Sequence, residues 1–311
     1  MKKVVVLGGG TGLSTLLRGL KQFPIEISAI VSVSDDGRST GRLRQEFKTP
    51  AVGDIRQVLI SLSETEPLVQ NLLNYRFSTT SDLNGHTIGN LLLTAMSDIT
   101  GNLSGAVESL SDVFNLKGKV IPLTEDDVVL MGLMTDGTII EGENKITSAN
   151  KKIDKVYYKK TPTINNDAIT AIKEADLIVL SMGSLYTSII PNLICQDIID
   201  ALHASNSKLM YVSNMMTQPG ETDNFTVSEH VKVLNRYLQK RKIDIVIANN
   251  GEISEELRKK YEILEQKDPV EIDYKKLKGI ELIEDNFILI EDDMIRHNNL
   301  KLAFHIFSNL V

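Results

Sequence analysis

The chain has 311 residues, of which 42% are hydrophobic and 24% charged, with a formal net charge of −7. This is the composition of a globular protein with a buried core, and the acidic balance excludes an overall basic field that would recruit nucleic acid or anionic membrane. A single cysteine, Cys195, excludes an internal disulfide and a cysteine-rich zinc site, as expected of a cytoplasmic chain.

The first element is a strand over Lys3 to Leu7. It runs into Gly8-Gly9-Gly10-Thr11-Gly12-Leu13-Ser14-Thr15 and then into a helical pattern with Leu13, Leu16, Leu17 and Leu20 on one face. A strand, a glycine turn and a helix start present backbone N–H groups to an anion, usually a phosphate. The loop is of neither standard type. The dinucleotide fingerprint needs a third glycine or alanine where Leu13 or Thr15 stands, and the P-loop needs a lysine, which first follows at Lys21. A second strand over Ile27 to Val33 ends in Ser34-Asp35-Asp36-Gly37-Arg38-Ser39-Thr40-Gly41-Arg42, which reads as a loop. Asp35 and Asp36 suit a Mg²⁺ ion, while Arg38 and Ser39 suit phosphate oxygens. An aspartate here could instead hold a ribose hydroxyl, as in NAD enzymes.

Helices follow over Asp54 to Ser63, Pro67 to Phe77, Thr87 to Asp98 and Leu103 to Phe114, with Asp54 expected as an N-cap. Gly85-His86-Thr87-Ile88-Gly89-Asn90 opens the third of them. His86 is the candidate general base if the protein is an enzyme, and Asn90 can read a base or a sugar. Lys119 to Leu123 is a strand. The segment 124–161 is an antiparallel insertion, signalled by Asp136-Gly137 between two apolar runs.

The alternation then resumes: helix Asn166 to Ala175, strand Leu177 to Leu180, helix Leu193 to Ala204, strand Leu209 to Val212. Helix Val227 to Gln239, strand Ile243 to Ala248, a short helix Ser254 to Tyr261, a strand Glu281 to Ile290 and a helix Asn299 to Leu310 complete it. The fold class is therefore α/β, a doubly wound and mostly parallel sheet with one central insertion, in a single domain over 1–311. Ligands of such sheets bind beyond the C-terminal strand ends. There the chain places Ser184 and Tyr186, then Asn214 and Thr217, then Asn249: neutral groups of the kind that recognise nucleosides and sugars. It has no His-x-x-x-His or cysteine pair for zinc and no Gly-x-Ser-x-Gly elbow. Aromatic residues are 5%, without tryptophan, which argues against stacking platforms for single-stranded nucleic acid. The apolar run after Met1-Lys2-Lys3 is too short for a secretory signal, and no stretch approaches the ~20 apolar residues of a membrane span.

Taken in order, these motifs resemble the YvcK family, often labelled gluconeogenesis factor and related to the CofD 2-phospho-L-lactate transferases. The matching stretches are Gly8–Gly12, Ser34–Gly41, Gly53–Arg56, Gly85–Asn90, Gly183–Ser188, Met216–Thr222 and Ile295–His297. The resemblance implies a Rossmann-like cytoplasmic protein that binds a UDP-sugar, UDP-N-acetylglucosamine by expectation. It also implies a regulatory role joining central carbon metabolism and gluconeogenic growth to peptidoglycan precursor supply and cell shape. The glutamine–fructose-6-phosphate aminotransferase is its implied partner, and a homodimer its expected assembly. Tyr261 and Arg296 enter by the same resemblance as nucleotide-sugar contacts, with Gly9, Gly10, Thr11 and Gly12 as the phosphate turn. The transferase relatives imply an alternative, a Mg²⁺-dependent nucleotidyl or phosphoryl transfer using Asp35, Asp36 and His86.

Overall fold

The computed structural model describes residues 1–64, 67–291 and 294–310. Its strands are β1 (Lys2–Gly8), β2 (Ile25–Val31), β3 (Lys119–Pro122), β4 (Leu130–Met134), β5 (Ile139–Glu141) and β6 (Ile153–Tyr158). They continue with β7 (Leu177–Leu180), β8 (Lys208–Val212), β9 (Ile245–Asn249), β10 (Glu281–Asp285), β11 (Ile288–Glu291) and β12 (Met294–His297). The helices before the insertion are α1 (Gly10–Leu20), α2 (Arg38–Phe47), α3 (Gly53–Leu62), α4 (Pro67–Asn74), α5 (Ile88–Thr100) and α6 (Leu103–Val113). After it come α7 (Glu143–Ser148), α8 (Asn166–Glu174), α9 (Gln196–Ala204), α10 (Val227–Tyr237), α11 (Glu255–Glu265) and α12 (Asn299–Ser308).

Seven strands form one parallel sheet in the order β10-β9-β8-β7-β1-β2-β3. Helices cover both faces of a parallel sheet, so its central strands are continuous apolar runs rather than alternating ones. Val4–Leu7 and Leu177–Leu180 are accordingly buried throughout. The leucine face of α1 is fully enclosed between the sheet, α3 and α12. Among the described residues no helix is long and apolar enough to cross a membrane.

The expected insertion is an antiparallel sheet, β5-β4-β6, whose first turn is Asp136-Gly137 with Gly137 at φ +84°. It also contains α7, too short to show a periodicity. Three expectations need correction. The charged stretch after β2 is not a loop throughout: Asp35 accepts the Gly37 N–H and α2 begins at Arg38, burying Leu43 and Arg44. Asp54 is not a cap, because Val52 occupies that position and Asp54 lies inside the first turn of α3. The strand expected over Glu281 to Ile290 is two. Asn249 Oδ1 takes the Phe287 N–H and Asn286 Oδ1 the Ile288 N–H, turning the chain into the β11–β12 hairpin.

The close approach of the loops after β1 and β7 depends on Gly12. A Cβ there would stand 2.4 Å from the Met182 carbonyl oxygen and 2.7 Å from the Gly183 nitrogen, both backbone atoms. Gly12→Ala must part the two loops, and denaturant unfolding is expected to show a loss of about 1–3 kcal/mol. Unchanged stability would mean that the loops separate freely.

Candidate functional site

Chain order reverses between β1 and β7. β2 and β3 follow on one side of β1, and β7 to β10 build outward on the other. Loops leaving adjacent strands in opposite directions open a crevice. A cleft of about 380 Å³ lies there, lined from the β1 turn by Gly9, Thr11 and Gly12 and from the β7 loop by Ser184 and Ser188. Asn214, Thr217 and Gln218 enter after β8, and Lys267, Arg296 and His297 come from the last part of the chain. Helix α1 begins at this cleft with Gly9 as N-cap and no side-chain cap. Asp54 accepts the Gly10 N–H from behind, and the other first-turn N–H groups are of the kind that can hold an anion. A larger depression of about 720 Å³ lies at the opposite, N-terminal edges of β1 to β3, bordered by Lys3, Glu26, Lys119 and Glu174. It has none of the strand-end loops, so the chemistry belongs to the smaller cleft.

Each wall is held from behind. Ser184 Oγ donates to Glu221 Oε2 at 2.5 Å and accepts the Thr187 N–H, while the Tyr186 N–H reaches the same carboxylate at 3.3 Å. Asn214 Nδ2 donates to the Gly183 carbonyl at 3.0 Å. Thr217 exchanges two hydrogen bonds with Asp268, which sets Lys267 beside the cleft. Tyr261 is buried, and its hydroxyl accepts the Ile295 N–H at 2.7 Å. Its ring is not open in the cleft; it fixes β12, on which exposed Arg296 follows. His297 Nε2 donates to the Ser213 carbonyl, and burial lowers its pKa to about 4, so the ring is neutral.

Other expected residues stand apart from the cleft. Tyr186 is buried behind Ser184. Asn249 is spent on a turn, donating to the Gly251 carbonyl and accepting the Phe287 N–H. Arg38 is exposed at the start of α2 with φ +37°. Ser39, His86 and Asn90 form a buried chain of their own: Asn90 Nδ2 donates to Ser39 Oγ at 3.1 Å, and Ser39 Oγ lies 3.0 Å from His86 Nδ1. Burial, with Arg42 nearby, lowers the His86 pKa.

Behind the glycine turn the structure gathers carboxylates. A Cβ on Gly9 would meet Asp54 Oδ2 at 2.5 Å, and Asp54 accepts the Gly10 N–H. Asp54 is pushed up to about 7 by burial and then by Asp35. Glu143 of α7 is pushed up to about 8 by burial and then by Asp35, Asp54 and Asp36. Asp35 is raised by burial, against the pull of Gly37 and Thr40. Asp36 accepts the Asn144 N–H at 2.8 Å, which fastens α7 to the β2 loop. Among the described residues no group of three His, Cys, Asp or Glu side chains could hold a metal ion. Any divalent ion at Asp35 and Asp36 would need further oxygens, from water or a bound phosphate. Lys267, Glu143 and the role of Asp54 escape sequence reasoning. Glu221, Gln218 and His297 lie inside recognised motifs but carry no signal separating them from their neighbours.

A family model described as 2-phospho-L-lactate transferase CofD matches residues 4–288. The chain is 45% identical over 306 residues to the gluconeogenesis factor of Bacillus subtilis, covering 97% of this chain and 96% of that one. It is also 45% identical over 306 residues to the gluconeogenesis factor of Halalkalibacterium halodurans, covering 97% and 94%. The crystal structure of a UPF0052 family member from Bacillus halodurans superposes with a TM-score of 0.95 at 44% identity, over 98% of this chain and 99% of that one.

The raised carboxyls set a pH dependence. A group whose folded pKa exceeds its unfolded value of about 4 stabilises the fold fully below that value. Its contribution is lost as pH rises through about 7 for Asp54 and about 8 for Glu143. Unfolding free energy is expected to fall between pH 5 and pH 8, and less steeply in Asp54→Asn. An equal change in unfolding free energy between pH 5 and pH 8 in wild type and Asp54→Asn, measured by denaturant titration, would contradict the assignment.

Proposed function

From the premise that the chain belongs to the CofD family and groups there with the gluconeogenesis factors, we propose that its cleft binds a UDP-sugar, UDP-N-acetylglucosamine foremost. On this reading the protein is a regulator that joins gluconeogenic carbon flow to peptidoglycan precursor supply and cell shape. The observation that carries the reading is the charge pattern of the cleft. The start of α1, whose Gly10 N–H is taken by Asp54 from behind, shares the cleft with Arg296 and with Lys267, itself paired with Glu265 at 2.6 Å, and among the described residues no carboxylate belongs to the cleft lining. A diphosphate would lie against the first-turn N–H groups and take the Arg296 fork. Asn214, Thr217, Gln218 and Ser184 offer neutral partners to sugar and base. Among the described residues no serine or threonine hydroxyl of the lining is hydrogen-bonded to a histidine, which favours binding without turnover. The partner that fits this role is the glutamine–fructose-6-phosphate aminotransferase, and the proposed assembly is a homodimer.

The carboxylates behind the glycine turn favour a second reading, a CofD-type transfer assisted by Mg²⁺. Asp35 and Asp36 would hold the ion together with substrate phosphate oxygens, and His86 would serve as base. The buried position of His86 against Ser39 gives this reading less support.

Thermal unfolding across a panel of nucleotides and nucleotide sugars, with and without Mg²⁺, separates the two. A UDP-sugar at a hundred times its dissociation constant is expected to stabilise the protein by about 2.7 kcal/mol, and to be recovered intact. Consumption of the ligand, or a response confined to other nucleotides, would replace regulation by transfer.

Arg296→Ala should abolish the response to UDP-sugar. Tyr261→Phe keeps the ring but orphans the buried Ile295 N–H, so it is expected to cost about 1–3 kcal/mol of stability and to weaken binding. Full binding by Tyr261→Phe would show that the hydroxyl does not hold Arg296 in place.

A further inference from the structure

We propose that the groove between α1, α3 and α4 is a second anion site, suited to the phosphate of a small phosphorylated sugar. The groove encloses about 380 Å³ and runs along the face of α1 that carries Ser14, Arg18 and Lys21. Thr11 borders both this groove and the cleft. Lys21 stands ten residues further along the helix, which is about 15 Å away at the α-helical rise.

The lining includes Arg18, Lys21 and Arg56 and, among the described residues, no carboxylate. That is a local excess of positive charge in a chain whose net charge is −7. Each cation leans on a neutral acceptor. Arg18 donates to Thr15 Oγ1 at 3.4 Å, Lys21 Nζ to the Ser63 carbonyl at 2.7 Å, and Arg56 Nη1 to Asn74 Oδ1 at 3.0 Å. Arg56 Nε is buried without a hydrogen-bond partner. Its stem is pressed on the backbone at Gly89, where a Cβ would stand 2.7 Å from Arg56 Cδ. The guanidinium therefore has little freedom to seek another partner.

The surrounding charges agree. Burial lowers the pKa of Lys21, with Arg18 and Lys117 opposing its charge and Glu64 supporting it; Glu64 itself pairs with Lys117 at 3.0 Å. Burial also lowers Arg56, with Arg76 opposing and Asp54 and Asp35 supporting. An arriving dianion would relieve both repulsions and could take the guanidinium's terminal N–H groups, which lie beyond the buried Nε. Gln22, Gln57 and Ser61 in the same lining offer hydrogen bonds to sugar hydroxyls.

The test uses the full chain and calorimetric titration with glucose 6-phosphate and with inorganic phosphate, with UDP-N-acetylglucosamine in parallel. Glucose 6-phosphate should bind wild type and Arg296→Ala alike, and more tightly than inorganic phosphate. Removing two cations in Arg18→Gln/Lys21→Gln should weaken it by about tenfold or more, with the UDP-sugar response kept. Gln57→Glu, which adds a negative charge to the groove without touching the cations, should also weaken it. No binding by wild type, or binding lost in Arg296→Ala but kept in the groove variants, would overturn the proposal. Equal affinity for both probes would remove the sugar from it. The UDP-sugar arm reports on the cleft separately, so the two sites fail independently.

Discussion

The contact between the β1 turn and the β7 loop constrains everything else in the site. Gly12 meets the backbone of Met182 and Gly183 so closely that neither loop can carry bulk at the crossing. The two backbones form a floor, with the first turn of α1 on one wall and Ser184 on the other. The floor is rigid because each side is rooted in the core. The leucines of α1 are buried, and the β7 loop is tied to Glu221 and Asn214. An anion site made of backbone amides needs this rigidity, since its donors gain nothing unless they already point the right way.

The insertion contributes more than coverage. Arg44 joins it to the parallel sheet, donating to Asp127 Oδ1 at 2.6 Å and to the Val128 carbonyl, and also to the Asp35 carbonyl at 2.9 Å. Asp36 holds the start of α7, and Glu143 is brought among Asp35 and Asp54. Like charges crowded out of water keep protons at neutral pH. The cluster's proton count is therefore open to change under ordinary conditions. Any cation that settles there must displace protons, which links its affinity to pH.

Much of this was legible in the sequence because parallel sheets announce themselves. The runs at Val4–Leu7 and Leu177–Leu180 are apolar throughout, and the glycine turn and the Asp136-Gly137 hairpin lie where their chemistry requires. Less was legible where structure comes from tertiary partners. Helix α2 buries Ser39, Thr40, Leu43 and Arg44, of which Leu43 alone is apolar, so no hydrophobic periodicity betrays it. The break after β10 is set by Asn249, far away in the chain. In the cleft, the glycines and hydroxyls were readable as strand-end residues, whereas Lys267 owes its place to the Thr217–Asp268 exchange. Asp54 has the signature of a cap and the surroundings of a buried acid. Only three-dimensional proximity to Gly9 and Asp35 separates those roles.

The two sides of the cleft come from opposite ends of the chain: Gly9 to Gly12 follow the first strand, and Arg296 belongs to the last. A ligand gripped by both acts as a removable staple. While it is bound, the β11–β12 hairpin and α12 cannot peel away without also breaking the grip on the glycine turn. Occupancy should thus set the fraying of the C-terminal segment, and a partner protein could sense ligand there without touching the cleft.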